Sequence, residues 1–163
     1  PRKWILEARK LWYFIPGITK LQDKNLVDIE LRQLESYKKQ IEQKILFFSE
    51  GTTELMPGEA DKLPNLFISI RKCLDIAKYL GKNAQIQIIG HTSSTGTEGQ
   101  NKLLSQARAN KILSYLKSQG ININQFKATG VSYSLPLQPE VTPESKKLNR
   151  RVSFKVFIAN TSK

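Results

Sequence analysis

Apolar residues recur at steps of three and four in three stretches of the chain, a spacing that predicts amphipathic helices. The stretches cover about residues 30–44, 66–80 and 98–119, and the first has a charged outer face. Gly81 and Gly120 follow the second and third stretches, at positions where a glycine commonly ends a helix. We therefore predict three helices.

Short apolar or alternating segments between these stretches predict strands. Residues 45–49 and 85–89 are typical of buried strands, and residues 126–131 can form another. Between residues 152 and 158 apolar side chains alternate, which predicts a last strand with one buried face. Residues 132–148 contain three prolines and are predicted to form a loop. The order of these elements is βαβαββ, which predicts an α+β fold.

The chain carries a large excess of positive charge. Its 163 residues include 26 basic and 14 acidic ones, which gives a formal net charge of +12. Residues 1–45 hold 10 basic and 6 acidic residues and residues 46–163 hold 16 and 8, so the excess is spread along the chain. Such a field favours a cell-wall polymer, an acidic lipid or a nucleic acid as partner. Nucleic acid is the least favoured, because basic and aromatic residues are not interleaved.

Few side chains in this sequence are suited to catalysis or to metal binding. The single cysteine, Cys73, and the single histidine, His91, exclude an internal disulfide and the usual zinc sites. Cys73 lies in a helical apolar stripe, and we interpret it as a core residue; we interpret His91 as a hydrogen-bonded structural residue. No phosphate loop, paired acid and base carboxylates or triad is visible. We therefore expect no enzyme and no cofactor.

Polar residues share the inward face of the helix predicted at 98–119. At about 100° per residue, Asn101, Ser105 and Arg108 fall in the same arc as the apolar residues. An inward guanidinium is costly unless it is paired or lines a cleft. Near a helix N-terminus it would suit a carboxylate, held in a bidentate fork. The alternative is that Arg108 pairs with an internal acid or caps a carbonyl.

Motifs in the second half of the chain resemble those of the OmpA-C-like domain. They are Gly90-His91-Thr92, Gly96, Asn101, Leu104-Ser105, Arg108-Ala109, Tyr115-Leu116, Gly120 and Asn149-Arg150-Arg151-Val152. The resemblance covers about residues 45–158. It implies a βαβαββ two-layer sandwich, here with an N-terminal helical extension. It also implies non-covalent binding of the diaminopimelate group of the peptidoglycan stem peptide.

The same resemblance implies a ligand site. Arg108 matches the arginine that holds the ligand's carboxylate in typical members, and the other predicted ligand-binding residues are Thr92, Ser93, Asn101, Leu104 and Arg151. Typical members carry an aspartate at the position of Ser93, where it accepts the ligand's ammonium group. A hydroxyl brings no charge, and the loss is on the order of tenfold in affinity. Glu50 or Glu98 is a candidate to compensate.

The start of the chain bears a weaker resemblance to the closing helix and strand of a BON domain. The matching residues run from Ala8 to Leu21 and then through Asn25-Leu26-Val27. The alternative is an accessory helix on the main domain. The predicted division is therefore a BON remnant or accessory segment at 1–28, a linker or packing helix at 29–44, the OmpA-C-like domain at 45–158 and a tail at 159–163.

These observations predict a non-catalytic domain of the bacterial envelope, in the periplasm or associated with the outer membrane, that binds peptidoglycan with a weakened site. One alternative is an assembly module that binds envelope proteins and has lost its wall site. A second is a binder of anionic polymers or acidic lipids. The chain begins at Pro1, and it contains no run of about 18 consecutive apolar residues, the length that a membrane-spanning helix needs. We therefore expect a fragment or processed product whose parent protein can be membrane-associated.

Overall fold

The computed structural model describes residues 18–160, with side chains from residue 24 onward. Two short 3-10 turns, Ala60–Lys62 and Ile123–Gln125, precede the second helix and the third strand. The helices and strands follow in this order: α1 (Ile18–Glu42), β1 (Leu46–Phe47), α2 (Leu63–Tyr79), β2 (Lys82–Gly90), α3 (Glu98–Ser118), β3 (Phe126–Gly130), α4 (Pro143–Asn149) and β4 (Arg151–Asn160).

The four strands form one mixed sheet in the order β1-β4-β2-β3. Strand β2 runs parallel to β3 and antiparallel to β4, while β1 is antiparallel to β4. Along β4 the side chains of Val152, Phe154 and Val156 are buried, whereas Lys155 and Phe157 are exposed. One face of the sheet therefore carries the helices and the other faces solvent. The predicted α+β two-layer sandwich is confirmed.

Helix α1 is part of this packed layer. It contacts α2 and β4, and its Leu34 and Ile41 side chains are almost completely buried. Its last residue, Glu42, accepts a hydrogen bond from the main-chain nitrogen of Val156 at 3.0 Å. Residues 29–42 of the predicted linker or packing helix are therefore helical and packed on the domain. The division of the chain at residues 29–44 stays a prediction. Within residues 18–160, no helix has both the length and the apolar character that crossing a bilayer requires.

The BON resemblance implied a closing helix and strand, but from residue 18 to residue 27, where the match ends, the chain is helical and forms the start of α1. No glycine or proline occurs between residues 18 and 50, so nothing in the sequence interrupts the helix at this point. The predicted boundary between residues 28 and 29 also falls within continuous helix. The rest of the BON interpretation concerns residues 1–17, which lie outside the described residues.

The loop predicted at residues 132–148 is wrong from Pro143 onward, where helix α4 begins. Thr142 caps this helix, since its side-chain oxygen accepts a hydrogen bond from the nitrogen of Ser145 at 3.2 Å, and the Ser145 hydroxyl accepts one from Thr142 in return. Pro143 stands in the first turn, where its missing N–H is not needed. The proline here marks the start of a helix and not a loop.

Candidate ligand site at one end of the sheet

Two glycines at the ends of neighbouring strands allow α3 to lie directly against the sheet. Gly90 ends β2, Gly130 ends β3, and the two are paired across the strands. A Cβ atom on Gly90 would lie 1.9 Å from the carbonyl oxygen of Ser105, and one on Gly130 would lie 2.3 Å from the nitrogen of Gln106. The absence of a side chain at both positions brings the first half of α3 against the loop that follows β2.

The Arg108 side chain lies at the centre of this end of the domain and is fully buried. Its Nε donates to the carbonyl of Thr52, its Nη1 to that of His91 and its Nη2 to that of Ser49, each at 2.9 Å. The guanidinium also lies 5.3 Å from the ring centre of Phe48. It therefore ties the loop after β1 to the loop after β2, and it uses three of its five N–H groups to do so.

The charge of Arg108 has no internal counter-ion among residues 24–160. The ion pairs there are Lys62–Glu59, Lys111–Glu54 and Arg150–Glu50. Burial, and secondly the charge of Arg150, lower the pKa of Arg108 to about 10, so it is still protonated at neutral pH. The inward orientation predicted for this side chain is confirmed, and it caps carbonyls, which was the stated alternative. Direct contact with a ligand is not available in this conformation and stays a prediction.

The other predicted site residues are largely buried. Thr92, Ser93 and Asn101 are almost inaccessible, and Leu104 is half-buried on α3. The Asn101 amide donates to the carbonyl of Thr95 at 3.0 Å, which shapes the loop after β2. Arg151 donates to the carbonyl of Leu135 at 3.1 Å. These residues lie in the loop after β2, in the first half of α3 and at the start of β4. Their contact with a ligand stays a prediction.

An open cavity of about 650 Å³ lies at this end of the domain, and it contains a residue that the sequence did not indicate. Glu50, Thr95, Glu140 and Arg150 are among the residues that line it. The carboxylate of Glu140 accepts hydrogen bonds from the nitrogen and the hydroxyl of Ser94, at 2.9 and 2.6 Å. Periodicity could not reveal Glu140, because it lies in a proline-rich loop 46 residues from Ser94.

Of the two acids expected to compensate for Ser93, only Glu50 lines this cavity. Its carboxylate is largely exposed and lies 3.3 Å from Nη1 of Arg150. Glu98 lines a different cavity, beside Lys102 and Tyr133. Glu98 is therefore not among the residues that line the cavity around Glu140.

His91 is a buried neutral residue of this site. Its ring Nε2 lies 2.9 Å from the hydroxyl of Ser153, and its main-chain nitrogen donates to the carbonyl of Arg151. Burial, and secondly the charge of Arg151, lower the pKa of His91 from 6.5 to about 4. Protonation of His91 is therefore linked to unfolding.

We expect acid to destabilise the domain through His91. Between pH 4 and 6.5 the unfolded chain binds the proton and the folded domain does not, so this contribution is complete above pH 6.5 and is lost as the pH falls towards 4. The difference between pKa values of 6.5 and about 4 amounts to about 3 kcal/mol. Urea midpoints of the wild type and of His91→Gln at several pH values measure it. The variant should lose less stability across this interval, and equal losses would contradict the assignment to His91.

Comparison with known families identifies the domain. A sequence model of the OmpA family matches residues 47–150. The chain belongs to the OmpA family. The match begins at β1 and ends just before β4, so it includes the Gly90 and Arg108 motifs and the cavity residues Glu140 and Arg150. It does not include residues 1–28, where the BON resemblance had been noted.

Curated relatives of this OmpA-family domain are longer than the chain. The peptidoglycan-binding protein ArfA of Mycobacterium tuberculosis (strain ATCC 25618 / H37Rv) is 30% identical over 112 residues, which are 69% of this chain and 32% of ArfA. The probable lipoprotein YiaD of Escherichia coli (strain K12) is 31% identical over 107 residues, 66% of this chain and 45% of YiaD. The chain therefore spans less than half the length of these relatives.

Solved structures share the fold of this OmpA-family domain. The peptidoglycan-associated lipoprotein from Burkholderia pseudomallei superposes with a TM-score of 0.59 at 20% identity, over 71% of this chain and 91% of that one. The cell wall anchor of the T6SS from Pseudomonas aeruginosa superposes with a TM-score of 0.54 at 23% identity, over 70% and 76%. At this level of identity the likeness shows the fold alone.

Proposed function

We propose that this domain binds peptidoglycan non-covalently in the bacterial envelope, through the diaminopimelate of the stem peptide, and that it has no catalytic role. The observation that carries the proposal is the fully buried Arg108 guanidinium, which no carboxylate among the described residues pairs with. A buried charge of this kind is costly unless a counter-ion completes it. The name of the relative ArfA, a peptidoglycan-binding protein, supports the choice of ligand.

The proposed binding step exchanges neutral acceptors for a charged one. Ser49 and Thr52, whose carbonyls bind Arg108, lie in the loop after β1, and Gly51 and Thr52 at its tip are exposed. An outward shift of this loop would open a path to the guanidinium and to its two unused N–H groups. The ligand's carboxylate then adds a negative charge and bidentate geometry, neither of which the neutral carbonyls provide. This gain offsets the displacement of the loop.

The mixed charge of the adjacent cavity also fits the proposed ligand. Glu50, Glu140 and Arg150 line it together, so acidic and basic groups are available within one space of about 650 Å³. The side chain of diaminopimelate ends in a carbon that carries both an ammonium group and a carboxylate. A zwitterionic end of this kind is complementary to a cavity that carries both signs.

Diaminopimelate and lysine stem peptides give a direct test with the wild-type protein. The lysine side chain ends in an amine alone and lacks the side-chain carboxylate of diaminopimelate, which is the group proposed to neutralise Arg108. We expect the domain to co-sediment with sacculi that contain diaminopimelate. We also expect a soluble stem tripeptide ending in meso-diaminopimelate to release the domain from the sacculi. The matching tripeptide ending in lysine should be at least about tenfold less potent, because it cannot form the hydrogen bonds between a side-chain carboxylate and Arg108.

The remaining outcomes distinguish the alternatives. Equal competition by the two tripeptides would contradict recognition of diaminopimelate. Binding to sacculi that salt abolishes steeply, without competition by either tripeptide, would favour an anionic-polymer binder driven by the charge of +12. No binding to sacculi at all would favour an assembly module on the same fold.

A further inference from the structure

The loop after β2 and the loop before α4 are joined by one acidic side chain. Both oxygens of the Glu140 carboxylate lie within 3.1 Å of the main-chain nitrogen of Ser94, and Oε2 also accepts from the Ser94 hydroxyl. The amide of Asn149 donates to Oε1 at 2.9 Å. Three donors on two separate segments thus fix the position of this carboxylate.

The Glu140 carboxylate lies close to Ser93, the residue at which typical members of the family carry an aspartate. Ser93 precedes Ser94 directly and is almost fully buried. Glu140, in contrast, lines the open cavity together with Thr95 and Arg150. The negative charge of Glu140 is therefore held at the surface of the site, against Ser94, the residue that follows the neutral Ser93.

The surroundings of Glu140 favour its ionised form. Partial burial opposes ionisation, but the hydrogen bonds from Ser94 and Asn149 and the charge of Lys146 together hold the pKa of Glu140 below its usual range. The carboxylate is consequently charged at neutral pH. It is also fixed before any ligand arrives, so little conformational entropy is lost when a cation binds to it.

We propose that Glu140 is the residue that accepts the ammonium group of the bound ligand, in place of an acid at position 93. This inference rests on the proposed function, since it assigns one end of the zwitterionic group to a residue of the same site. It makes Glu140 a specificity-determining residue. A ligand whose amine is blocked should then gain nothing from the carboxylate.

Glu140→Gln, measured against two forms of one ligand, tests the assignment. The probes are the stem tripeptide ending in meso-diaminopimelate and the same tripeptide with the side-chain amine of its diaminopimelate acetylated. The N-terminal amine is blocked in both probes. By calorimetry, Glu140→Gln should weaken binding of the free-amine tripeptide about tenfold. Wild type and variant should bind the acetylated tripeptide equally. Glu35→Gln, on the exposed face of α1, makes the same chemical change away from the cavity and should alter neither affinity.

A second variant tests the position of the charge. Adding Ser93→Asp to Glu140→Gln should restore most of the lost affinity for the free-amine tripeptide, because it supplies an acid beside the same loop. Urea midpoints establish that each variant is folded.

Several outcomes would overturn the assignment. Equal weakening of both tripeptides by Glu140→Gln would show a structural effect, and tighter binding would show that Glu140 blocks the site. Unchanged affinity would remove Glu140 from recognition while the proposed function stands. Failure of the wild type to bind the free-amine tripeptide would overturn the proposed function and the inference together.

Discussion

Gly90→Ala is expected to destabilise the domain by about 3 kcal/mol or more, at the upper end of what overpacking usually costs. The new Cβ would lie 1.9 Å from the carbonyl oxygen of Ser105 and 2.8 Å from its carbonyl carbon. Both atoms belong to the main chain of α3, so no change of side-chain rotamer can relieve the contact. Either α3 or the end of β2 must move, and the packing of Ile88 and Ile112 beneath them is disturbed. Urea unfolding followed by circular dichroism measures the change.

Gly99→Ala is the matched control for this substitution. Gly99 lies in the first turn of α3, and no atom lies within 4 Å of a Cβ built on it. Alanine favours a helix over glycine by up to about 1 kcal/mol, so this variant should be as stable as the wild type or slightly more stable. If both variants unfolded at the wild-type urea concentration, the close approach of α3 to the sheet would be incorrect.

Arg108→Ala is expected to cost about 3 kcal/mol of stability, a large part of the total for a domain of this size. The substitution removes three hydrogen bonds and leaves the buried carbonyl of His91 without its donor. It also releases the loop after β1 from the loop after β2. Part of the loss is offset because a buried charge is removed at the same time. Urea unfolding measures the net effect.

Lys111→Ala provides the comparison on the same helix. Lys111 pairs with Glu54 at 2.8 Å, but both side chains are exposed, so the loss should stay within about 1 kcal/mol. Equal losses for the two variants would contradict the structural role of Arg108. Because Arg108→Ala affects folding, loss of binding by this variant alone cannot assign a ligand contact. The wild-type comparison of diaminopimelate and lysine tripeptides provides that assignment without a substitution.

The periodic patterns predicted most elements to within a few residues. Helices expected at 66–80 and 98–119 are found at Leu63–Tyr79 and Glu98–Ser118, and the strand expected at 85–89 is found within Lys82–Gly90. The inward position of Arg108 also followed from the helical angle alone. These properties repeat with the period of the local backbone, and the sequence displays that period directly.

The errors came from residues whose effect depends on their neighbours. Pro143 was interpreted as a loop residue, but the cap that Thr142 and Ser145 form makes it the start of α4. Asn25-Leu26-Val27 was interpreted as part of the closing helix and strand of a BON domain, although these residues lie inside α1. In both cases a short motif was given a meaning that the adjoining residues override.

Local patterns were enough to predict the α+β fold, the family motifs and the set of polar residues on the inward face of α3. Which groups those residues contact depends on how the whole domain packs. The carbonyls that bind Arg108 lie up to 59 residues away along the chain, and Glu140 reaches Ser94 across 46. Periodicity reports the direction of a side chain relative to its own element. Its partners depend on how loops from distant segments pack, and no local pattern encodes that arrangement.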